Sequence, residues 1–371
     1  MWDLPGPTFF LEGLIDTLRD GGHLVIHLPD TMSEGFADHL EDALDQESFS
    51  TKHLELDSGN DNPKNTDLYD DGGHQYSLQY LCTDPDCLTA SVLILDSVQK
   101  DDFPLWSEWL ESYERASQRV DQFDRTRVVL LVRGVPRSKL QFQGTLISQV
   151  EWNGVLDVLD TLLYASGRLR DRVRDSRKRL LLSHVIANYA CWDPNVTKRL
   201  ASLEPEQFFH PKEVLLEIAE EYGWTPDTPK SWERGIEGRW GERTMLHSAY
   251  VALQNDQREL ERRLWQAQVS VLLPLIEQYR VKLLPSIRRW LRPPIHLGNR
   301  TIDEVEDLEV GDIYSLLKQA RVRDTGLTNQ IYRLREVRNK LAHLTPLTLS
   351  TVLDDNLLLP GLNSGSKSIS C

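Results

Sequence analysis

The stretch "HLVIHLPDTMSEGFADHL" (His23–Leu40) decides how the N-terminal half is read. Its first six residues form a near-continuous apolar run, the mark of a strand buried on both faces. After a turn at Pro29–Asp30, Phe36, Leu40 and Leu44 recur at helical spacing. Strand, turn and helix therefore follow one another within a few residues. Working outward, "KHLELD" reads as a half-buried strand, and "ASVLILDSV" and "TRVVLLVRGVP" as fully buried ones. Between the last two, "DFPLWSEWLESYERASQRV" reads as a helix with Leu105, Trp109 and Tyr113 on one side. Strands interleaved with helices imply an α/β domain with a mostly parallel sheet covered on both faces.

After "EWNGVLDVLDTLLYAS" strand signals disappear almost to the end, and helical spacing takes over. Pro274 and Pro285 are candidate kinks in the long segment 243–291. The expected organisation is an α/β domain over 1–165, an all-α connector over 166–235, a C-terminal α-helical bundle over 236–353 and a flexible tail over 354–371. The Asp/Asn/Gly-dense stretch "DSGNDNPKNTDLYDDGGH" lacks the alternating carboxylates of a calcium loop and reads as a surface insertion.

Composition narrows the roles. With 371 residues, 40% hydrophobic and 27% charged, the chain is globular and long enough for more than one core. A net charge of −15 opposes a whole surface built for nucleic acid, so any RNA contact is local. The four cysteines are too scattered for a disulfide framework, and Cys82 and Cys87 have no second pair at zinc spacing. With no basic segment at the N-terminus and no long apolar run, the expectation is a cytoplasmic protein with no membrane partner. No metal or other cofactor is expected.

The order of elements resembles AAA-type and STAND-type P-loop NTPases. In such domains a lysine-containing glycine-rich turn after the first strand wraps phosphate. Here the turn lacks the lysine, and Asp30 and Glu34 bring negative charge instead. The resemblance then implies a degenerate, non-hydrolysing domain that binds partners. Asp96, at the end of "VLILD", stands where such enzymes carry a magnesium-binding acid, but it suits a cap or turn equally.

In the connector, Arg168, Arg170, Arg172, Arg174, Arg177, Lys178 and Arg179 make the most basic run of the chain. A solvated helix face, RNA contact (through Arg168, Arg170, Arg174, Arg177 and Lys178) and docking on an acidic partner all fit it.

Near the C-terminus "RLREVRNKLAHLTPL" (Arg333–Leu347) puts Leu334, Val337, Leu341 and Leu344 on one helical stripe, with Pro346 marking the stop. Asn339 and His343, four apart, share a more polar face with Arg335 nearby. Metal-free RNA cleavage needs a group titrating near neutrality to move protons and a fixed cation for the phosphorane, which histidine and arginine supply. Arg338 and His343 lie about 140° apart on one helix, so a paired cleft from two copies suits them better than one copy.

"RNKLAH" is similar to the Arg-x4-His signature of the HEPN superfamily, over roughly residues 240–353. The resemblance implies a dimeric helical domain and a metal-independent endoribonuclease of toxin-like or antiviral systems. Arg338 and His343 would be catalytic, with Asn339 as the intervening polar residue and Arg335 as an RNA contact. Implied partners are an RNA substrate such as tRNA or mRNA, a second copy docked through the C-terminal bundle, and a larger ATPase of the defence system. The alternative is a non-enzymatic subunit of a multiprotein defence assembly.

Overall fold

A computed structural model describes residues 1–32, 35–57, 59–70 and 72–352. Glu34, Cys371 and the expected tail 354–371 lie outside the described residues. The chain divides into two compact units. One comprises Met1–Asp160, Trp192–Pro194 and Tyr222–His247; the other comprises Thr161–Cys191, Asn195–Glu221 and Ser248–Cys371. In this division the segment 166–235 is shared out between the two units instead of forming a connector of its own.

The first unit is a five-stranded, wholly parallel sheet of β1 (His23–Leu28), β2 (Thr51–Glu55), β3 (Val92–Val98), β4 (Arg127–Arg133) and β5 (Ile147–Glu151). The order across the sheet is β2-β3-β4-β1-β5. Helices cover both faces, as the alternation of strands and helices in the sequence implies. α1 (Pro5–Arg19) and α2 (Phe36–Gln46) lie on one face, where Leu24, Ile26 and Leu28 meet Leu14, Leu18, Phe36, Leu40 and Leu44. α3 (Phe103–Ser117) lies on the other, over Val25, Leu93, Leu95, Val128, Leu130 and Val132. Because every β1 side chain is buried, the run needed no polar alternation.

On α3 the buried stripe is Phe103, Trp106, Trp109, Leu110 and Tyr113, while Leu105 is exposed, contrary to the expectation from spacing. Trp109 and Tyr113 also carry polar handles that need partners when buried. The Trp109 indole N–H donates to the Leu78 carbonyl at 3.1 Å, and the Tyr113 hydroxyl to the Thr126 carbonyl at 2.7 Å. The edge strand β5 was not apparent as a strand, because "ISQVE" has only Ile147 buried.

The same unit contains an antiparallel hairpin of β6 (Glu237–Trp240) and β7 (Arg243–Leu246), in a region whose sequence reads as helical. Here His247 is buried and shares the Asp193 carboxylate, at 2.9 Å, with the Tyr222 hydroxyl, at 2.7 Å.

The second unit is mainly α-helical. Its centre is α5 (Ser176–Ala190) against the long α6 (Gln257–Ile287), with α7 (Val310–Gln319) and α8 (Thr325–Ala342) nearby; α4 (Val158–Leu169) spans the boundary between units. Pro274 and Pro285 both lie inside α6, which continues through them as one helix. Within this unit a hairpin, β8 (Ile295–Leu297) and β9 (Arg300–Ile302), precedes α7.

Candidate functional site

The turn after β1 is the first candidate, because ligands of parallel α/β sheets sit beyond the carboxyl ends of strands. Asp30 is there, but its carboxylate accepts a hydrogen bond from the Arg234 guanidinium at 2.6 Å. Its backbone N–H donates to the Glu233 carbonyl at 2.8 Å. Burial pushes the Asp30 carboxyl above its usual pKa range, and Arg234 pulls it back.

Two glycines permit this close seating. Gly134 (φ +64°) leaves room for the Asp30 carboxylate, and Gly235 (φ +73°) leaves room for Thr31; a Cβ at either would collide. The acid that looked unfavourable for phosphate is thus the seat of an arginine from the same unit.

Asp96 is similarly held by its neighbours. Its carboxylate accepts from the Ser97 N–H at 2.5 Å and lies 3.6 Å from Arg133 and 3.9 Å from His53. Ser97 has φ +69°, and the β3–β4 register shifts between Leu95 and Val98. Asp96 therefore sits at a bulge in the strand.

The second candidate is the end of α8. Asp324 caps its start by accepting from the Leu327 N–H at 3.0 Å. Ile331, Leu334, Val337 and Leu341 form the buried stripe. Leu344, expected on that stripe, is 67% exposed with φ +58°, because α8 ends at Ala342 and His343 is its C-cap.

Two residues of α6 anchor this end. The Trp265 indole N–H donates to the Leu341 carbonyl at 2.7 Å. Fully buried Gln268 grips Leu347 twice, donating to its carbonyl at 2.9 Å and accepting from its N–H at 2.7 Å. Between those anchors His343 is exposed.

Arg338 is 39% exposed, and its guanidinium donates to Glu309 at 2.8 Å. Glu309 is the N-cap of α7. Asn339 is half-buried, and its carbonyl accepts from the His343 N–H at 3.0 Å. Arg335 lies over the Tyr314 ring, 5.3 Å from its centroid. The motif residues thus share one helix end of one unit.

The basic run does not form a uniform phosphate track. Arg172 donates to the carbonyls of Ala201 and Leu203 and pairs with Glu204 at 2.7 Å; Arg179 donates to the Val173 carbonyl at 3.0 Å. Arg177 and Lys178 open α5, where their N–H groups donate to the Asp175 cap. Arg168, Arg170 and Arg174 are exposed.

Sequence reading missed Arg234, Gln268 and Trp265 as site-shaping residues. Their contacts join positions 76 to 204 residues apart, and no local pattern marks them.

No family model matches the chain, and no curated protein is significantly similar to it. Among solved structures, a DNA replication initiation factor aligns over 90% of this chain and 93% of its own, at 10% identity and a TM-score of 0.32. That likeness is too loose to carry an argument about fold or function.

Proposed function

We propose that the C-terminal helical unit is a metal-independent, HEPN-type endoribonuclease, the effector of an antiviral or toxin-like system. In this reading the sheet unit is a non-hydrolysing, NTPase-like sensor or scaffold. The observation that carries the proposal is the end of α8. Arg338 and His343 are both solvent-accessible there, on a segment pinned by Trp265 and Gln268.

Pinning matters because catalytic groups must keep their geometry while solvent-facing side chains ordinarily wander. His343 serves as the proton-transfer group and Arg338 as the cation for the developing phosphorane charge, with Asn339 orienting. Since one helix splays the pair by about 140°, two copies meeting at α8 complete the cleft. The Asp30–Arg234 pair supports the non-hydrolysing role of the sheet unit, since its turn already holds a cation.

The test is cleavage of total RNA and tRNA in EDTA by the wild type and by Arg338→Ala and His343→Ala of equal folded content. Cleavage that survives EDTA and vanishes in both variants supports the reading. Cleavage indifferent to both removes this helix end from the mechanism.

One observation favours a second reading, an assembly subunit without catalysis: Arg338 is already engaged by Glu309. Glu309→Gln separates the two. Freeing Arg338 raises cleavage if it is catalytic, and weakens a protein–protein complex if the Glu309–Arg338 pair is part of a docking surface.

A further inference from the structure

The face of α8 that runs back from His343 carries groups that the roles of Arg338 and His343 leave unused. Tyr332, Arg333, Glu336 and Lys340 wall a cavity of about 410 Å³, closed on the other side by Ser350 and Thr351 of the short helix Leu349–Val352. All belong to the second unit. The cavity begins one turn from His343, since the Lys340 carbonyl accepts from the His343 N–H at 3.1 Å and from the Thr345 N–H at 3.0 Å. Its far wall is held by the contact that pins the helix end, because Gln268 grips Leu347 just before the short helix starts.

The wall groups differ in chemistry. Tyr332 is 43% exposed, yet its ring rests against Tyr314 at 5.4 Å between centroids, and Arg335 lies over Tyr314 in turn. A ring held in this way and still open to solvent is a platform for a flat aromatic group. Lys340 is exposed and forms no ion pair among the described residues, although Glu336 stands one turn before it; the Glu336 carboxylate lies 3.9 Å from Arg335. The Ser350 and Thr351 hydroxyls meet that of Thr348 at 3.1 and 2.9 Å. Each hydroxyl keeps further hydrogen-bonding capacity after that contact.

These groups select among ligands. A bare anion would use Lys340 and Arg333 but face Glu336 and leave the ring idle. A cation would meet two positive charges against one negative, and an apolar molecule would desolvate all three charged heads. A nucleotide uses the whole wall: its base stacks on Tyr332, its phosphate pairs with Lys340 and Arg333, and its ribose hydroxyls reach Glu336, Ser350 and Thr351. The volume lies in the range that encloses a ligand of that size.

We propose that the cavity seats one nucleotide of single-stranded RNA, next to the phosphate on which Arg338 and His343 act. That placement rests on the ribonuclease reading; the wall chemistry does not. Stacking on Tyr332 tolerates any base, since every base has a π-face, and a 2′-hydroxyl donating to Glu336 favours RNA over DNA.

The experiment is a fluorescence-anisotropy titration of the full chain in EDTA, carrying His343→Ala so that the strand stays intact. The probes are a short single-stranded RNA of mixed sequence and its all-deoxy counterpart, with adenosine monophosphate as competitor. Expected is saturable RNA binding that Tyr332→Ala weakens at least about fivefold, as for one unstacked base, while Tyr332→Phe binds like the parent. Lys340→Ala should lower the slope of log affinity against log salt by about 0.7, as for one lost phosphate contact. The all-deoxy strand should bind about tenfold weaker, as for one lost hydrogen bond to a charged group. If Tyr332→Ala fails to fold for want of its packing on Tyr314, the Lys340→Ala salt slope decides. The proposal is overturned if the RNA does not saturate, if Tyr332→Ala and Lys340→Ala both bind like the parent, or if the all-deoxy strand binds equally. Adenosine monophosphate that binds as tightly as the strand would identify a free nucleotide as the occupant and overturn the RNA assignment. Binding that depends on Tyr332 and Lys340, in a protein whose wild type cuts no RNA, supports the cavity and overturns only the ribonuclease reading. Cleavage lost in Arg338→Ala, with RNA binding unchanged in both cavity variants, overturns the cavity alone.

Discussion

At the turn after β1, Asp30 meets Arg234; at the end of α8, Glu309 meets Arg338. All four side chains are partly exposed, so exposure does not separate the pairs. What differs is the frame around them. The first pair is flanked by the Asp30–Glu233 backbone bond and by two glycines that admit Asp30 and Thr31 at close range. The second joins two helices by its side chains alone, and surface pairs of that kind contribute roughly 0–1 kcal/mol. Arg234 is committed to its acid, whereas Arg338 can exchange its partner for an incoming phosphate at little cost.

The largest expected effect tests that exchange. If Arg338 and His343 act on RNA, Arg338→Ala and His343→Ala each lower EDTA-resistant cleavage by about 10²-fold or more; retained cleavage in either would break the contrast between the two pairs. Next is the framed pair. Gly235→Ala puts a Cβ into Thr31 at φ +73° and should cost about 1–3 kcal/mol in a denaturant titration, against no loss for the helical Gly311→Ala, whose added Cβ meets open space. Equal losses would show that the turn is not rigidly framed.

A third test uses pH. Burial, with Arg125 and Arg127 adding, lowers the His23 pKa to about 3; burial lowers that of His27 to about 4, with Arg137 adding and Glu233 and the Val135 backbone opposing. Both stay neutral in the folded state below pH 6.5, while the unfolded chain takes up protons. Their stability is therefore full above about pH 6.5 and falls as pH drops toward 4, by about 1.4 kcal/mol per pH unit for each histidine. His27→Leu should remove one histidine's share of that slope, and an unchanged slope would mean that His27 titrates in the folded protein. The smallest effect is Glu309→Gln, expected to move unfolding stability by less than about 1 kcal/mol.

The sheet was legible where burial on both faces wrote continuous apolar runs, as in β1, β3 and β4. It was illegible at β5, an edge strand whose exposed positions break any such run, and at β6–β7, where four-residue strands are too short to set a period. In α6 the prolines read as candidate kinks, and both lie inside one continuous helix, Gln257–Ile287. At the candidate sites, the spacing of Arg338, Asn339 and His343 was readable because they lie within one helix end. The partners that give each site its character were not. Arg234 reaches Asp30, and Gln268 reaches Leu347, through the fold alone. His27 read as one more member of a buried run, and nothing in its local sequence marks Trp232 as the ring that packs against it.

The sheet unit draws on three separated stretches of chain, the last ending at His247. Arg234 and Trp232, which close on Asp30 and His27, belong to that last stretch. At roughly 5–20 residues per second, a ribosome that has finished β5 needs several more seconds to deliver them. During that interval the nascent sheet carries Asp30 without its cation, a window in which a chaperone or an assembly partner can engage the turn before the protein closes it with its own arginine.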